Sequence, residues 1–239
     1  MERGELLYEG KAKKIYHTKD PNFVWVVYKD DATAFNGEKK GQITQKGELN
    51  NRISSFLFHY LAKRGVSNHW VKMLSPTEQL VRRVQIILLE VVVRYRAAGS
   101  LVKRLGMKEG EVLSTPIVEF YYKNDALGDP LINQDHINAL NLATPEQVKN
   151  MRDTSLIVGK HLQELFQQHH IILADFKLEF GMDRQGSLLL ADEISPDTCR
   201  LWDQRTGEKL DKDRFRQDLG NVSEAYREIW HRLEGKADV

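Results

Sequence analysis

Asp175, Lys177 and Glu179 alternate with apolar residues in the run ILADFKLEFG, residues 172–181. In an extended strand this spacing puts Ile172, Ala174, Phe176, Leu178 and Phe180 on one face and the charged groups on the other. One face is core. The other is either a solvated sheet surface or the floor of a polar site. A second run, LLLADEISPDTCRLWD, ends an apolar strand on Asp192 and Glu193 and continues through Asp197, Arg200 and Asp203. If the two runs form a hairpin across the polar GMDRQGS stretch, Asp192 returns beside the Asp175–Glu179 face. Oxygen donors from both strands could then hold magnesium through phosphate oxygens. A purely structural ion-pair network is the competing reading.

Two basic segments could bind anions. In EGKAKKIY, residues 9–16, Gly10 precedes Lys11 and Lys13, and strand alternation puts both lysines on one face. A glycine-containing turn with exposed amides beside two ammonium groups can cradle a di- or triphosphate, although it is not a Walker A sequence. Solvated lysines on an edge strand are the plainer alternative. In RYRAAGSLVKRLG, residues 94–106, Arg94, Arg96 and Ser100 flank a small-residue turn ahead of a short helix. Arginine, a hydroxyl and backbone amides together would grip a phosphomonoester, and an ordinary basic helix entry is the alternative. His69, His161, His169 and His170 lack metal-ligand spacing and read as surface or core polar residues.

The elements that must position these groups are partly visible. Strands are predicted at Glu5–Tyr8, Lys14–His17, Val24–Tyr28 and Ile86–Arg94, the last with a continuous LLEVVV core. Asn50 to Arg64 reads as a helix with Ile53, Phe56, Leu57, Tyr60 and Leu61 inward and Gly65 as its stop. Pro145 to His169 reads as a second helix, capped by Thr144, with Leu156, Leu162, Leu165 and Phe166 inward. Strands at Ile171–Phe180 and Leu188–Ile194 follow. Phe215, Leu219, Val222, Tyr226, Ile229 and Leu233 then repeat at steps of four and three, which predicts one amphipathic C-terminal helix. This order argues for an α+β fold with two lobes: a β-rich N-terminal lobe over residues 1–86 and a larger mixed lobe over 87–239.

Composition narrows the function class. The 239 residues carry 35 Lys plus Arg against 34 Asp plus Glu, so a net charge of +1 supplies no global field for nucleic acid or an anionic membrane. The single cysteine, Cys199, cannot pair within the chain and is too little for a thiolate metal site, which suits a reducing compartment. The opening MERGELLYEGKAKK lacks the apolar stretch of a signal peptide, and no segment has membrane-spanning length, so a cytoplasmic protein is expected. Residues 235–239 are expected to fray.

In order along the chain, LLYEGKAKKIY, DDATAFNG, LEVVVRYRAAGSLVKRLG, ADFKLEFG, DEISPDTCRLWD and DKDRFRQDLG resemble the SAICAR synthetases (phosphoribosylaminoimidazole-succinocarboxamide synthases). The resemblance runs from Leu6 to about Arg232. It implies two lobes around an ATP cleft, distantly like protein kinases, and a homo-oligomer. It further implies that ATP and Mg2+ activate the carboxylate of carboxyaminoimidazole ribotide as an acyl phosphate, which the amine of L-aspartate attacks. Carried across by position, Gly10, Lys11, Ala12 and Lys13 would hold ATP phosphates, Lys123 would assist the nucleotide, and Glu179 and Asp192 would bind magnesium. Lys177 would neutralise the transferring phosphoryl group. Arg94, Ser100 and Arg200 would grip the ribotide, with Asp175 accepting from a ribose hydroxyl and Asp129 assisting. Asp30 to Gly41 would form a flap that excludes water. The chain departs from the family pattern at Leu88, where proline is frequent, and at Tyr95, where asparagine is. The competing functions are a kinase-like phosphotransferase, which needs no amino-acid site, and a nucleotide-binding regulatory module without turnover.

Overall fold

The computed structural model describes residues 2–34 and 37–235. In chain order the elements are β1 (Arg3–Glu9), β2 (Lys13–Thr18), β3 (Phe23–Tyr28), β4 (Asp31–Ala34), β5 (Lys39–Gln42), α1 (Lys46–Ala62), β6 (Trp70–Ser75), β7 (Glu78–Arg82), β8 (Gln85–Arg96), α2 (Ser100–Leu105) and β9 (Val112–Tyr122). A 3-10 turn at Asp125–Leu127 leads to β10 (Leu131–Ile132), α3 (Gln134–Ala139), α4 (Pro145–Gln168), β11 (Ile171–Met182), β12 (Leu188–Ala191), β13 (Cys199–Asp203), α5 (Asp213–Arg216) and α6 (Val222–Glu234). One antiparallel sheet has the order β1-β2-β3-β7-β6, and the other runs β10-β9-β8-β11-β12 with β13 also paired to β11. The chain passes from the first sheet to the second at Arg83 and Val84, between β7 and β8. The β4–β5 hairpin occupies the stretch expected to be a flap, of which Phe35 and Asn36 lie outside the described residues.

The central strand β8 corrects the reading of LLEVVV as a continuous core. Leu89, Val91 and Val93 are buried in the main cluster with Phe176, Leu178 and Phe180, whereas Leu88, Glu90, Val92 and Arg94 line a cleft on the other face. The run hides an alternation because Val92 and Leu88 are apolar on the polar side. In β11 the expected alternation breaks at a bulge between Leu173 and Asp175. An extra residue in one strand reverses which face the following side chains take. Ile171 and Leu173 therefore join the main core, while Ile172 and Ala174 pack separately with Ala98 and Trp202.

Helix α4 starts where the sequence indicates. Thr144 Oγ1 accepts from Gln147 N at 3.2 Å and Gln147 Oε1 accepts from Thr144 N at 2.8 Å, a reciprocal cap ahead of Pro145. Its buried face is Val148, Met151, Val158, Leu162, Leu165 and Phe166, with Leu156 only half-buried. Helix α1 begins earlier than apolar spacing suggests, because its first turns bury Lys46, Asn50 and Asn51 instead. The single C-terminal helix is two, α5 and α6, broken where Asp218 (φ 55°), Gly220 (φ 69°) and Asn221 (φ 50°) take left-handed backbone. Leu219, read as inward, is exposed at the break, while Tyr226, Ile229 and Leu233 are buried. Hydrophobic spacing survives such a break because it records only which residues face inward.

Tyr95 packs on Phe176, with ring centroids 6.4 Å apart, and both press onto Gly159 of α4. A Cβ at Gly159 would come within 3.0 Å of the Phe176 ring and overlap the Tyr95 hydroxyl. Alanine gains roughly 1 kcal/mol over glycine in a helix, but two rings on the neighbouring strands β8 and β11 must move to admit it. Gly159→Ala is therefore expected to destabilise by a net of about 1–2 kcal/mol, with Tyr95→Phe in the same chain recovering part. Urea midpoints check this, and a Gly159→Ala variant as stable as the parent would contradict it.

Candidate active site

A cleft of about 790 Å3 lies between the two sheets, with Ile15, Val24, Val26 and Val81 on one wall and Glu90, Val92, Asp175, Lys177 and Glu179 on the other. The polar face of β11 is therefore a buried floor and not a solvated surface. Asp175 and Glu179 are each only 3% exposed. Strand pairing places Glu179 directly opposite Glu90, Lys177 opposite Val92 and Asp175 opposite Arg94. Lys177 Nζ bridges the two opposed glutamates, 2.6 Å from Glu90 and 2.9 Å from Glu179. Lys123 adds a second ammonium, 2.9 Å from Glu179. Burial opposes the charge on Lys177, but Glu179, Glu90 and Asp192 outweigh it and hold its pKa well above the ordinary lysine value.

The β11–β12 register pairs Glu179 with Ala191, so Asp192 emerges one residue beyond Glu179's partner. Asp192 takes left-handed backbone (φ 59°) and receives Lys13 Nζ at 2.5 Å, while Glu193 receives the same ammonium at 3.0 Å. Burial raises the Asp192 carboxyl, yet Lys13, Lys177 and Lys123 overcome this and hold it well below the usual carboxylate range. Lys13 is likewise raised well above its ordinary value, because the two carboxylates outweigh burial. The Gly10–Ala12 turn joins β1 to β2 and is closed by Gly10 N donating to Lys13 O at 2.8 Å. Lys11 reaches across to Asp125 at 2.7 Å. His69, also on the cleft wall, is buried against Phe58, and burial pushes its pKa down to about 4.

At the other end, Arg94 is buried and its donors are all engaged. Nε donates to Glu119 at 2.7 Å, Nη1 to Asp175 at 2.5 Å and Ala98 O at 3.3 Å, and Nη2 to Ser100 Oγ at 3.3 Å and Tyr121 Oη at 3.1 Å. Arg200 Nη1 donates to Asp175 at 2.9 Å and its Nε to Asp213 at 2.9 Å. Its guanidinium lies against Gly99, where φ is 55° and any Cβ would collide with it, so only glycine fits that turn. Arg94, Ser100, Arg200 and Asp175 are thus one cluster. Asp129 (φ 47°) lines the cleft near Lys123 and accepts from Asn124 N at 2.8 Å.

Several charged groups escaped the sequence reading. Glu90 was concealed in an apolar run, although a lone carboxylate there two strand steps from Arg94 is itself a signal. Glu119 anchors Arg94 and also pairs with Arg104. Lys46, 1% exposed, pairs with buried Asp197 at 2.7 Å, and Lys212 and Arg216 face the cleft from the α5 region. No local pattern announces Lys46, because Asp197 lies far along the chain, whereas Arg216 pairs with Asp213 within one turn and Glu119 with Arg94 across neighbouring strands.

Glu179 and Asp192 offer hard oxygen donors one ladder step apart, which suits magnesium held by one or two carboxylates with phosphate oxygens and water completing the shell. Among the described residues no cluster of three or more His, Cys, Asp or Glu could enclose an ion by itself. Among the described residues no helix is long and apolar enough to cross a membrane.

A family model described as SAICAR synthetase matches residues 6–233. The chain is 60% identical over 233 residues to the phosphoribosylaminoimidazole-succinocarboxamide synthase of Bacillus subtilis (strain 168), covering 98% of this chain and 97% of that one. It is 61% identical over 239 residues to the protein of the same name from Brevibacillus brevis, over 100% of both. Its fold superimposes on a crystal structure of phosphoribosylaminoimidazole-succinocarboxamide synthase from Ehrlichia chaffeensis with a TM-score of 0.94 at 48% identity, covering 96% of this chain and 98% of that one. A SAICAR synthetase in complex with ADP matches with a TM-score of 0.93 at 46% identity, covering 96% and 97%.

The Lys13–Asp192 pair has a testable pH signature. A carboxyl whose folded pKa lies below the unfolded value of about 3.9 contributes stability that is complete above that value and is lost as pH falls through the folded one. Asp192→Asn is expected to cost about 1–3 kcal/mol near neutral pH, with the gap to the parent closing below about pH 4. Denaturant midpoints across that range check it, and a constant gap would remove Asp192 from the acid response.

Proposed function

The chain belongs to the SAICAR synthetase family, and from that premise we propose that it is an ATP-dependent ligase of purine biosynthesis that joins L-aspartate to carboxyaminoimidazole ribotide. The observation that carries this reading is the buried row in which Lys177 bridges Glu90 and Glu179 beside the Lys13–Asp192 pair. Such a row can exchange partners. Phosphate oxygens would draw Lys11, Lys13 and Lys123 from their carboxylates, freeing Glu179 and Asp192 for magnesium. Magnesium, when bound, supplies charge neutralisation on the phosphate oxygens. The apolar wall of Ile15, Val26, Val81 and Leu88 suits a purine ring.

A carboxylate is a poor acyl donor because oxide would have to leave. Transfer of the γ-phosphoryl group from ATP to the ribotide carboxylate gives ADP and an acyl phosphate, and attack by the aspartate amine then forms the amide and releases phosphate. The protein's work is positioning and charge neutralisation. Lys177 neutralises the transferring group from the cleft floor. Arg94, Ser100 and Arg200 hold the ribotide, Arg94 by orienting Asp175 and Ser100 through its buried bonds. Asp175 accepts from a ribotide hydroxyl, and Asp129 supports the turn that carries Lys123. The β4–β5 hairpin shields the acyl phosphate from water. The two lobes divide near residue 86, where the second sheet begins.

The decisive assay is ADP release with ATP, magnesium and carboxyaminoimidazole ribotide, with and without aspartate, with the imidazole product followed by mass. Succinocarboxamide formed only with every component present supports the ligase. ADP release indifferent to aspartate would establish a phosphotransferase instead. Asp192→Asn is expected to keep the fold and lose magnesium-dependent turnover by on the order of a hundredfold. Lys13→Ala is expected to raise KM for ATP by about tenfold or more. Parent-like ATP dependence in Lys13→Ala would remove that lysine from the nucleotide site.

A further inference from the structure

At the α5 end of the cleft the cations share their nearest carboxylates, and burial with neighbouring Asp213 pushes the Asp211 carboxyl up to about 7. Asp197 accepts from Lys46 Nζ at 2.7 Å and from Tyr226 Oη at 2.6 Å, which leaves Lys212 a distant contact of 3.6 Å. Asp213 is shared between Arg200 at 2.9 Å and Arg216 at 2.6 Å. Burial lowers the pKa of Lys212, and the pull of Asp197 does not restore it because Lys46 and Arg216 push the other way. Lys13 and Lys177 show the opposite balance, each held well above the ordinary value by its carboxylates. Lys212 and Arg216 nevertheless line the same cleft as Lys177 and Arg200. Lys212 and Arg216 are half-buried, and a partly desolvated cation whose carboxylate is shared is stabilised by an incoming anion.

We propose that Lys212 and Arg216 receive the carboxylates of the amino-acid substrate, with Arg216 taking the side-chain carboxylate. This inference rests on the ligase reading and assigns the one substrate that reading leaves without named residues. A dianion fits two cations that flank the ribotide cluster, and a guanidinium recognises a carboxylate by paired hydrogen bonds. Asp213 links Arg200 to Arg216, so the amino acid would lie beside the ribotide. Lys39 Nζ donates to Phe215 O at 2.7 Å and so fixes α5 against the β4–β5 hairpin.

The test is the steady-state kinetics of Arg216→Gln, Arg216→Lys and Lys212→Gln with ATP, ribotide and either L-aspartate or L-asparagine. Arg216→Gln is expected to raise KM for aspartate by roughly tenfold to a hundredfold, to leave KM for ATP and ribotide near the parent values, and to lower the aspartate-to-asparagine ratio of kcat/KM in proportion. Arg216→Lys should recover part of that ratio, which a merely structural role would not move. If Arg216→Gln does not fold, Lys212→Gln carries the test through its aspartate KM. Unaltered aspartate selectivity, or an equal rise in the ribotide KM, overturns the inference while normal parent turnover leaves the ligase reading standing. A parent chain without aspartate-dependent turnover overturns both.

Discussion

Two carboxylates set directly opposite each other across β8 and β11 constrain everything else in the cleft. Glu90 and Glu179 are register partners, and opposed side chains on neighbouring strands stand about 5 Å apart. At an effective dielectric of about 20, two like charges at that distance repel by roughly 3 kcal/mol. Lys177 offsets this repulsion by contacting both, and Lys123, just beyond β9, offsets the charge of Glu179 further. The lysine therefore cannot simply leave. Once a phosphate takes its ammonium, the glutamates regain their repulsion until another cation arrives. In the proposed reaction this couples phosphate and magnesium binding through one electrostatic requirement.

The fold holds that row in place from both sides. Leu89, Val91 and Val93 on the back of β8 and Phe176, Leu178 and Phe180 on the back of β11 are locked in the core under α4. A slip by one residue would turn the charged row into that core. Gly181 strengthens the register, because a Cβ there would run into Val84 at 2.6 Å, so the strands meet closely where the chain enters the second sheet. At the opposite end the bulge before Asp175 lets β11 pair with β8 and β13 while Asp175 meets both Arg94 and Arg200.

What the sequence made legible was periodic and local. The Asp175–Lys177–Glu179 face, the Thr144–Pro145 helix start and the hairpin return of Asp192 each depend on neighbours a few residues away, and each is present in the structure. The bulge at Leu173 was invisible because one extra residue leaves composition unchanged while reversing the face. The α5–α6 break was missed because Gly220 sits inside a hydrophobic repeat that continues across it. Lys46 and Glu119 were missed for a different reason. A charged residue looks solvated in sequence until its partner, on another element of the fold, comes into contact with it.

The two ends of the cleft bind charge by different means. At the end proposed for the nucleotide each lysine already has a carboxylate, as in Lys11–Asp125, Lys13–Asp192 and Lys177–Glu179. Such an end gains little from a bare anion, since every new contact breaks an old one, but it gains from an anion that brings its own cation. A magnesium–nucleotide complex has that character. At the α5 end Lys46 and Lys212 share Asp197, Arg200 and Arg216 share Asp213, and burial pushes the Asp211 carboxyl up to about 7. In the proposed reaction that end receives an anion that arrives alone. Under the proposed function, such a cleft would discriminate between its ligands by whether they carry a counter-ion, before any shape is read.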